Sequence, residues 1–352
     1  MLAFVFVLGV LIFFHELGHF LVAKRAGVLV ERFSLGFPPH IFQRKWGDTI
    51  YCIGIIPLGG YVKMAGENPD EEATGAPEEF MSKSIAQRTA VILAGPVMNY
   101  LLAMVILIGV YFFTGSPYYD NSRVLVGVVD DSGPAGKAGM QEGDQIIAVD
   151  HAPISTFDSL QATIHRAVET EVNVTWLRGN DTLSAAMTTR RAPALNAEGE
   201  IDTVGEIGIT QMPIGYQSYG LWESISNGFN HTHIIAWETI KFLKQLVTGQ
   251  VSSKLLGGPL FIARQSGKEA SRGMSRLLLF MALLSVNLAI LNVLPIPVLD
   301  GGHLVFLLIE KILGRPPSMK ARIIAQQVGM LALLTLIVFV TYNDILRILG
   351  GL

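Results

Sequence analysis

Apolar residues dominate four stretches of the chain, at about 1–23, 86–113, 277–299 and 323–340. Each is long enough for the ~20 residues a helix needs to cross a bilayer, and the pattern predicts four membrane-spanning helices. Between the second and third stretches the pattern changes. Val124, Val126 and Val128 alternate as in a strand, and the glycine-bounded turn 139–144 leads into a second strand at 145–149. Ser155, three residues before Asp158, reads as a capping-box-like helix start, and Leu160, Ile164 and Val168 continue it as a helical stripe. Val172, Val174 and Trp176 alternate again before a turn at 178–181. These elements predict a compact soluble domain over about 122–190, followed by a linker over 191–218.

Three further segments fit neither class. Residues 50–62, IYCIGIIPLGGYV, are apolar and rich in β-branched residues but broken by Pro57 and the pair Gly59-Gly60. A hairpin or strand dipping into the membrane fits the pattern, and so does an ordinary interfacial loop. Residues 66–83 are polar and turn-rich and predict a mobile loop. Over 219–249, Leu221, Ile225 and Phe229 recur every four residues, and Trp222 and Trp237 suit a membrane–water boundary, so an amphipathic surface helix is expected. His231 and His233 within it do not share a helical face, which argues against a metal site there.

Composition supports the membrane reading. Of 352 residues, 50% are hydrophobic and 16% charged, against roughly a quarter charged in soluble domains. Mean hydropathy is +0.44. A net charge of -3, scattered along the chain, gives no footprint for nucleic acid. The single cysteine, Cys52, excludes an internal disulfide framework and reads as a small buried hydrophobe. The first stretch lacks a basic segment in front of it, and its basic pair Lys24-Arg25 follows it, so it is expected to remain as an anchor. Lysines and arginines collect between stretches one and two and between three and four. Both loops are therefore expected in the cytoplasm, with the inserted domain outside it.

The chemistry lies inside the first apolar stretch, where HELGH occupies 15–19. Ionisable groups at membrane depth are costly and mark function. His15 and His19 stand one helical turn apart on one face, as two imidazoles on one Zn²⁺ require. Glu16 lies beside them, able to take a proton from a zinc-activated water as general base. A catalytic zinc needs a third protein ligand. His15 lies about 22 Å along its helix, near the cytoplasmic end. The third stretch runs the same way, and Asp300 is the first acid after it, so Asp300 is the expected ligand, with His303 a nearby rival. Pro295 and Pro297 would unwind the chain there. Glu310 is expected to face water or pair with Lys311, and Asp344 falls at the opposite end of the fourth stretch. A membrane metal transporter using the same ligands is the alternative from a different class, although the apolar stretches offer little that resembles a path.

Two resemblances follow from these motifs. The stretch AGKAGMQEGDQIIAVDHAPI, residues 135–154, resembles a bacterial, circularly permuted PDZ domain, a fold that takes peptides by strand addition and could equally serve as spacer or steric filter. HELGH, NVLPIPVLDG at 292–301, PLGGYVKM at 57–64 and GGP at 257–259 together resemble the site-2 proteases, more closely the bacterial regulator-of-sigma-E type. The resemblance implies a polytopic α-helical membrane protein of about four transmembrane helices, with a membrane-associated β-hairpin at 50–62 and one inserted extracytoplasmic PDZ domain. Its parts would be a membrane core over 1–114, the PDZ domain over 122–190, a linker and interfacial segment over 191–275, and a second membrane core over 276–352. It implies Zn²⁺ on His15, His19 and Asp300, Glu16 as base, Asn292 holding substrate or the oxyanion, and Gly59, Gly60 and Tyr61 on a strand that pairs with unwound substrate. Implied partners are the lipid bilayer of a bacterial inner membrane and single-pass membrane proteins such as an anti-sigma factor. Signal-peptide remnants and pheromone precursors are the alternative substrates. The family's glycine-rich GFGP-like loop stands here as Gly36-Phe37-Pro38-Pro39, and one PDZ domain replaces the two of many relatives.

Overall fold

The computed structural model describes residues 1–67, 74–195, 201–253 and 256–349. They form two compact units, one of residues 1–112, 220–247 and 252–352, the other of 113–219 and 248–251. The acidic stretch 70–72 lies outside the described residues.

The first unit opens with α1 (Leu2–Arg25), apolar on every side, with Lys24 and Arg25 in its last turn, where cations complement the helix dipole. A β-hairpin follows, β1 (Val30–Trp46) and β2 (Thr49–Met64). Residues 50–62 are therefore not a hairpin by themselves: they form most of β2, whose partner lies upstream across Gly47-Asp48. Pairing runs from Val30–Met64 to Leu35–Gly60 and resumes from His40–Gly54 to Trp46–Thr49, while Arg32–Ile50 and Leu35–Ile53 also lie side by side. Each long strand thus bends, so that one hairpin supplies four adjacent strand segments. Residues 74–83 are pinned rather than mobile. Glu79 accepts from the Thr74 and Gly75 amides at 2.9 and 3.1 Å, and Phe80 packs into a core with Ala23, Val28, Val30 and Val91.

Next in the chain comes α2 (Ile85–Phe113), which carries Pro96 in its interior. After the second unit the chain returns through α5 (Leu221–Val247), α6 (Pro259–Ser271), α7 (Met274–Val293), α8 (Asp300–Leu313) and α9 (Met319–Ile348). Four of these helices, α1, α2, α7 and α9, are long and apolar enough to cross a membrane. Helix α7 stops six residues short of the end of its apolar stretch. Leu294, which precedes Pro295, is pushed into extended backbone at φ -62°, ψ 146°, and the chain turns before α8 starts at Asp300.

Helix α5 does not lie as an isolated surface helix. Its buried residues include Ser224, Gly228 and Thr232, four apart on one face. Gly228 packs on Ile108 of α2, and Thr239 donates to Asn287 of α7 at 2.7 Å. The exposed side holds Trp222, Phe229, Ile234 and Trp237. Glu223, Asn230, Glu238 and Lys244 are exposed as well, so the outward surface mixes apolar and charged residues as an amphipathic helix does.

The second unit contains β3 (Ser116–Tyr118), β4 (Val124–Val129), α3 (Pro134–Lys137), β5 (Gln145–Val149), β6 (Ala152–Pro153) and α4 (Phe157–Arg166). The strands β7 (Glu171–Arg178), β8 (Asp181–Thr188), β9 (Arg190–Leu195), β10 (Ile201–Glu206), β11 (Ile209–Gln211) and β12 (Gly215–Gln217) complete it. Its main sheet has the order β11-β4-β5-β7-β8, with β6 beside β5. Val124, Val126, Ile146, Val174, Trp176, Leu160 and Ile164 fill the core under α4. The cap of α4 is Thr156, one residue later than expected, with Ser159 completing the capping box. The domain also reaches past residue 190. Ile207 belongs to the core and β11 is a sheet strand, so 191–218 is not a linker.

Candidate metal centre

Helix α1 buries Val7, Leu11, His15, Gly18 and His19, a set spaced to fall on one face. That face meets α2 at very short range. A Cβ at Gly18 would collide with the Ala94 carbonyl, and one at Gly95 would collide with His19 Nε2. Glycine at both positions lets the two backbones approach and leaves space for the imidazoles.

In that space the structure brings together His15, His19 and Asp300, the first two on α1 and the third at the first position of α8. The Nε2 atoms of the histidines are 3.2 Å apart, and Asp300 Oδ2 lies 3.2 Å from His15 Nε2 and 3.5 Å from His19 Nε2. Four-coordinate zinc with ligands at 2.0–2.1 Å places neighbouring ligands about 3.3 Å apart. The three atoms match that spacing, and they form a metal-competent group among the described residues. Asp300 Oδ2 is buried with no hydrogen-bond partner among the described residues, as a metal ligand would be before its ion is counted. The donor set therefore fits zinc. Burial raises the Asp300 carboxyl, and the contacts with His15 and His19 outweigh it, holding the group well below the usual carboxylate range.

Surrounding groups aim these ligands. His19 Nδ1 lies 2.8 Å from the carbonyl of Val91, which fixes the proton on Nδ1 and leaves Nε2 free to ligate. His15 Nδ1 lies 3.5 Å from Asn99 Nδ2, and its Nε2 lies 3.3 Å from Asn292 Nδ2. Asn292, near the end of α7, thus borders the centre directly. Asn99 is fully buried and was not among the expected residues. Its signal was present: a lone asparagine in the apolar run AGPVMN.

Glu16 lines a cavity of 470 Å³ together with His15, His19, Asp300 and Asn292. Gly60, Tyr61, Val62 and Met64 of β2 form another wall. Gly60 lies so near α1 that a Cβ would stand 2.9 Å from Ile12 and 3.0 Å from Glu16 Cγ. Gly59 does not line the cavity; it leaves room for the Phe37 ring. The Tyr61 hydroxyl is held at 3.4 Å by both Arg32 and His40. On its far side this part of β2 pairs with no other strand among the described residues. Glu67 lines the same cavity, accepts from the Met64 amide at 3.3 Å and is pushed up to about 7 by burial.

The remaining candidates stand elsewhere. His303 faces the cavity one turn beyond Asp300 but is outside the three-residue group. Glu310 neither faces water nor pairs with Lys311. It is paired with Arg88 of α2 through two bonds of 3.0 and 2.6 Å. Asp344 accepts from the amides of Gly258 and Phe261 at 3.1 and 2.9 Å, capping α6.

Comparison with known proteins identifies the family of the chain. The family model for peptidase family M50 matches residues 3–336. The zinc metalloprotease RasP of Bacillus licheniformis is 32% identical over 99% of both chains. The regulator of sigma-W protease RasP of Bacillus subtilis is 31% identical over 99% of this chain and 98% of its own length. Among solved structures, the PDZ domain of the SdrC-like protein Lmo2051 of Listeria monocytogenes aligns at 22% identity, covering 26% of this chain and 90% of that one, with TM-score 0.21. The chain belongs to peptidase family M50, the site-2 proteases.

Proposed function

We propose that this metalloprotease holds Zn²⁺ on His15, His19 and Asp300 and cuts the membrane-spanning segment of single-pass proteins. The observation that carries the reading is the ligand triangle of 3.2, 3.2 and 3.5 Å, built on an apolar membrane-length helix and opening into a cavity beside an unpaired strand edge. Zinc held by His15, His19 and Asp300 would supply Lewis acidity to water and to the substrate carbonyl. Glu16, on the same turn as both histidines, takes the proton from the attacking water and passes it to the leaving amine. Asn292 donates through Nδ2 to the developing oxyanion.

A transmembrane substrate shields its peptide bonds by helical hydrogen bonding. The free edge of β2 at 60–64 offers replacement partners to an unwound segment, so that exposing the bond leaves few backbone groups unpaired. The concentration of Lys and Arg in the loops supports a reading with the centre toward the cytoplasm and the inserted unit outside it. On this reading the substrate class is an anti-sigma factor or a similar single-pass protein already trimmed outside the membrane. That the Bacillus subtilis relative is named a regulator of sigma-W protease supports a link to sigma-factor control. Clearance of signal-peptide remnants uses the same chemistry.

The test is reconstitution of the full chain in vesicles with a single-pass substrate whose outer domain has been removed. Mass spectrometry should find new termini inside the membrane segment and none in soluble flanks. Cleavage confined to water-exposed flanks would overturn the reading.

A further inference from the structure

The cavity is acidic and metal-binding at one end and basic at the other. Asp300, His303, Leu307 and Glu310 follow one face of α8 away from the metal centre. Glu310 lies about 15 Å beyond Asp300 along that helix. There Arg88 already uses both oxygens of Glu310, at 2.6 and 3.0 Å, and is almost wholly buried. A second guanidinium, Arg322 of α9, stands 4.0 Å from the same carboxylate, outside hydrogen-bond range. Its side chain is 15% exposed, its Nε is buried with no hydrogen-bond partner among the described residues, and it lines the cavity with Gln326 one turn further along α9. Phe306 lies beneath the guanidinium at 6.0 Å.

Two cations, one buried and one partly buried, thus share one anion, and the anion is satisfied by the first. A guanidinium is a fork of five donors shaped for a carboxylate, and a sequestered cation with an idle donor is unfavourable unless something completes it. Arg322 is not needed to neutralise Glu310, and it faces the space a substrate enters.

We propose that Arg322 is a specificity subsite for an acidic side chain of the substrate, a reading that rests on the protease function above. An extended segment leaving the metal centre along α8 needs about four to five residues to cover about 15 Å. The subsite therefore selects a glutamate or aspartate at that distance from the scissile bond, on the cytoplasmic side. Gln326 adds a neutral donor beside it.

The test compares two single-pass substrates that differ only in Glu or Gln at the fourth and fifth positions on that side. The full chain is held in phosphatidylcholine vesicles. The wild type should cut the Glu substrate with kcat/KM higher by about tenfold, the value of one charge-assisted hydrogen bond. Arg322→Gln should collapse the ratio to about one, and Arg322→Glu should reverse it toward a Lys-bearing substrate. Equal wild-type rates on Glu and Gln overturn the subsite even if no variant folds. So does a ratio that persists in Arg322→Gln, or an Arg322 effect that follows added phosphatidylglycerol and not the substrate. Absence of cleavage of either substrate overturns the protease reading itself, and the subsite with it.

Discussion

The imidazole of His19 is anchored to the backbone of α2, its Nδ1 lying 2.8 Å from the Val91 carbonyl one turn before Gly95. The contact exists because Gly95 has no side chain to separate the helices. Gly95→Ala should therefore displace His19, with zinc content falling well below one ion per chain and activity falling with it. Gly109→Ala, on the same helix with nothing within 4 Å of its new Cβ, should keep both. Metal analysis of the two purified variants checks this.

The Asn99 amide borders His15 on the side away from the centre, its Nδ2 lying 3.5 Å from Nδ1. Loss of such supporting contacts weakens metal binding about 10–100-fold. Asn99→Leu should weaken zinc binding by that order in a chelator competition and leave thermal stability of the metal-loaded protein within a few degrees of wild type.

Glu67 gives a stability signature. Its carboxyl is raised to about 7 by burial from an ordinary value of 4.5. A group raised in the folded state favours folding below its unfolded value, and that advantage is lost as pH climbs through the folded one. Wild type should therefore lose stability between about pH 4.5 and 7 relative to Glu67→Gln, which carries no such charge. Melting temperatures in detergent across that window should diverge with rising pH; parallel curves would contradict the assignment.

The Arg88–Glu310 pair ties α2 to α8. Removing one member strands a buried charge, at about 3–5 kcal/mol. Arg88→Ala should lower the melting temperature sharply. Arg88→Met and Glu310→Leu combined with Arg322→Met should recover much of the loss, because the desolvation cost of all three neighbouring charges disappears.

What could be read ahead of the structure divides by range. HELGH is contiguous, so one helical turn was enough to align its histidines. That Asp300 lies near the histidines could be read because the direction of the third apolar stretch carries depth information. The partner of Glu310 is 222 residues away, and nothing local in the sequence could oppose the nearby Lys311. The Val91 carbonyl carries no side-chain signal at all. Strand β11 has three residues and draws its stability from pairing with β4 and from Ile207 in the core, so its segment reads locally as linker. The partner of residues 50–62 lies across Gly47-Asp48 in a basic, proline-bearing stretch that does not read as a strand.

The central claim is that Glu16 is the base at a zinc centre built by His15, His19 and Asp300. The most direct measurement pairs zinc content with cleavage of a transmembrane substrate for wild type and Glu16→Gln in vesicles. The account predicts one zinc per chain in both and a loss of cleavage of at least about 10²–10⁴-fold in the variant. A variant that holds zinc and still cuts at a rate near wild type would contradict it.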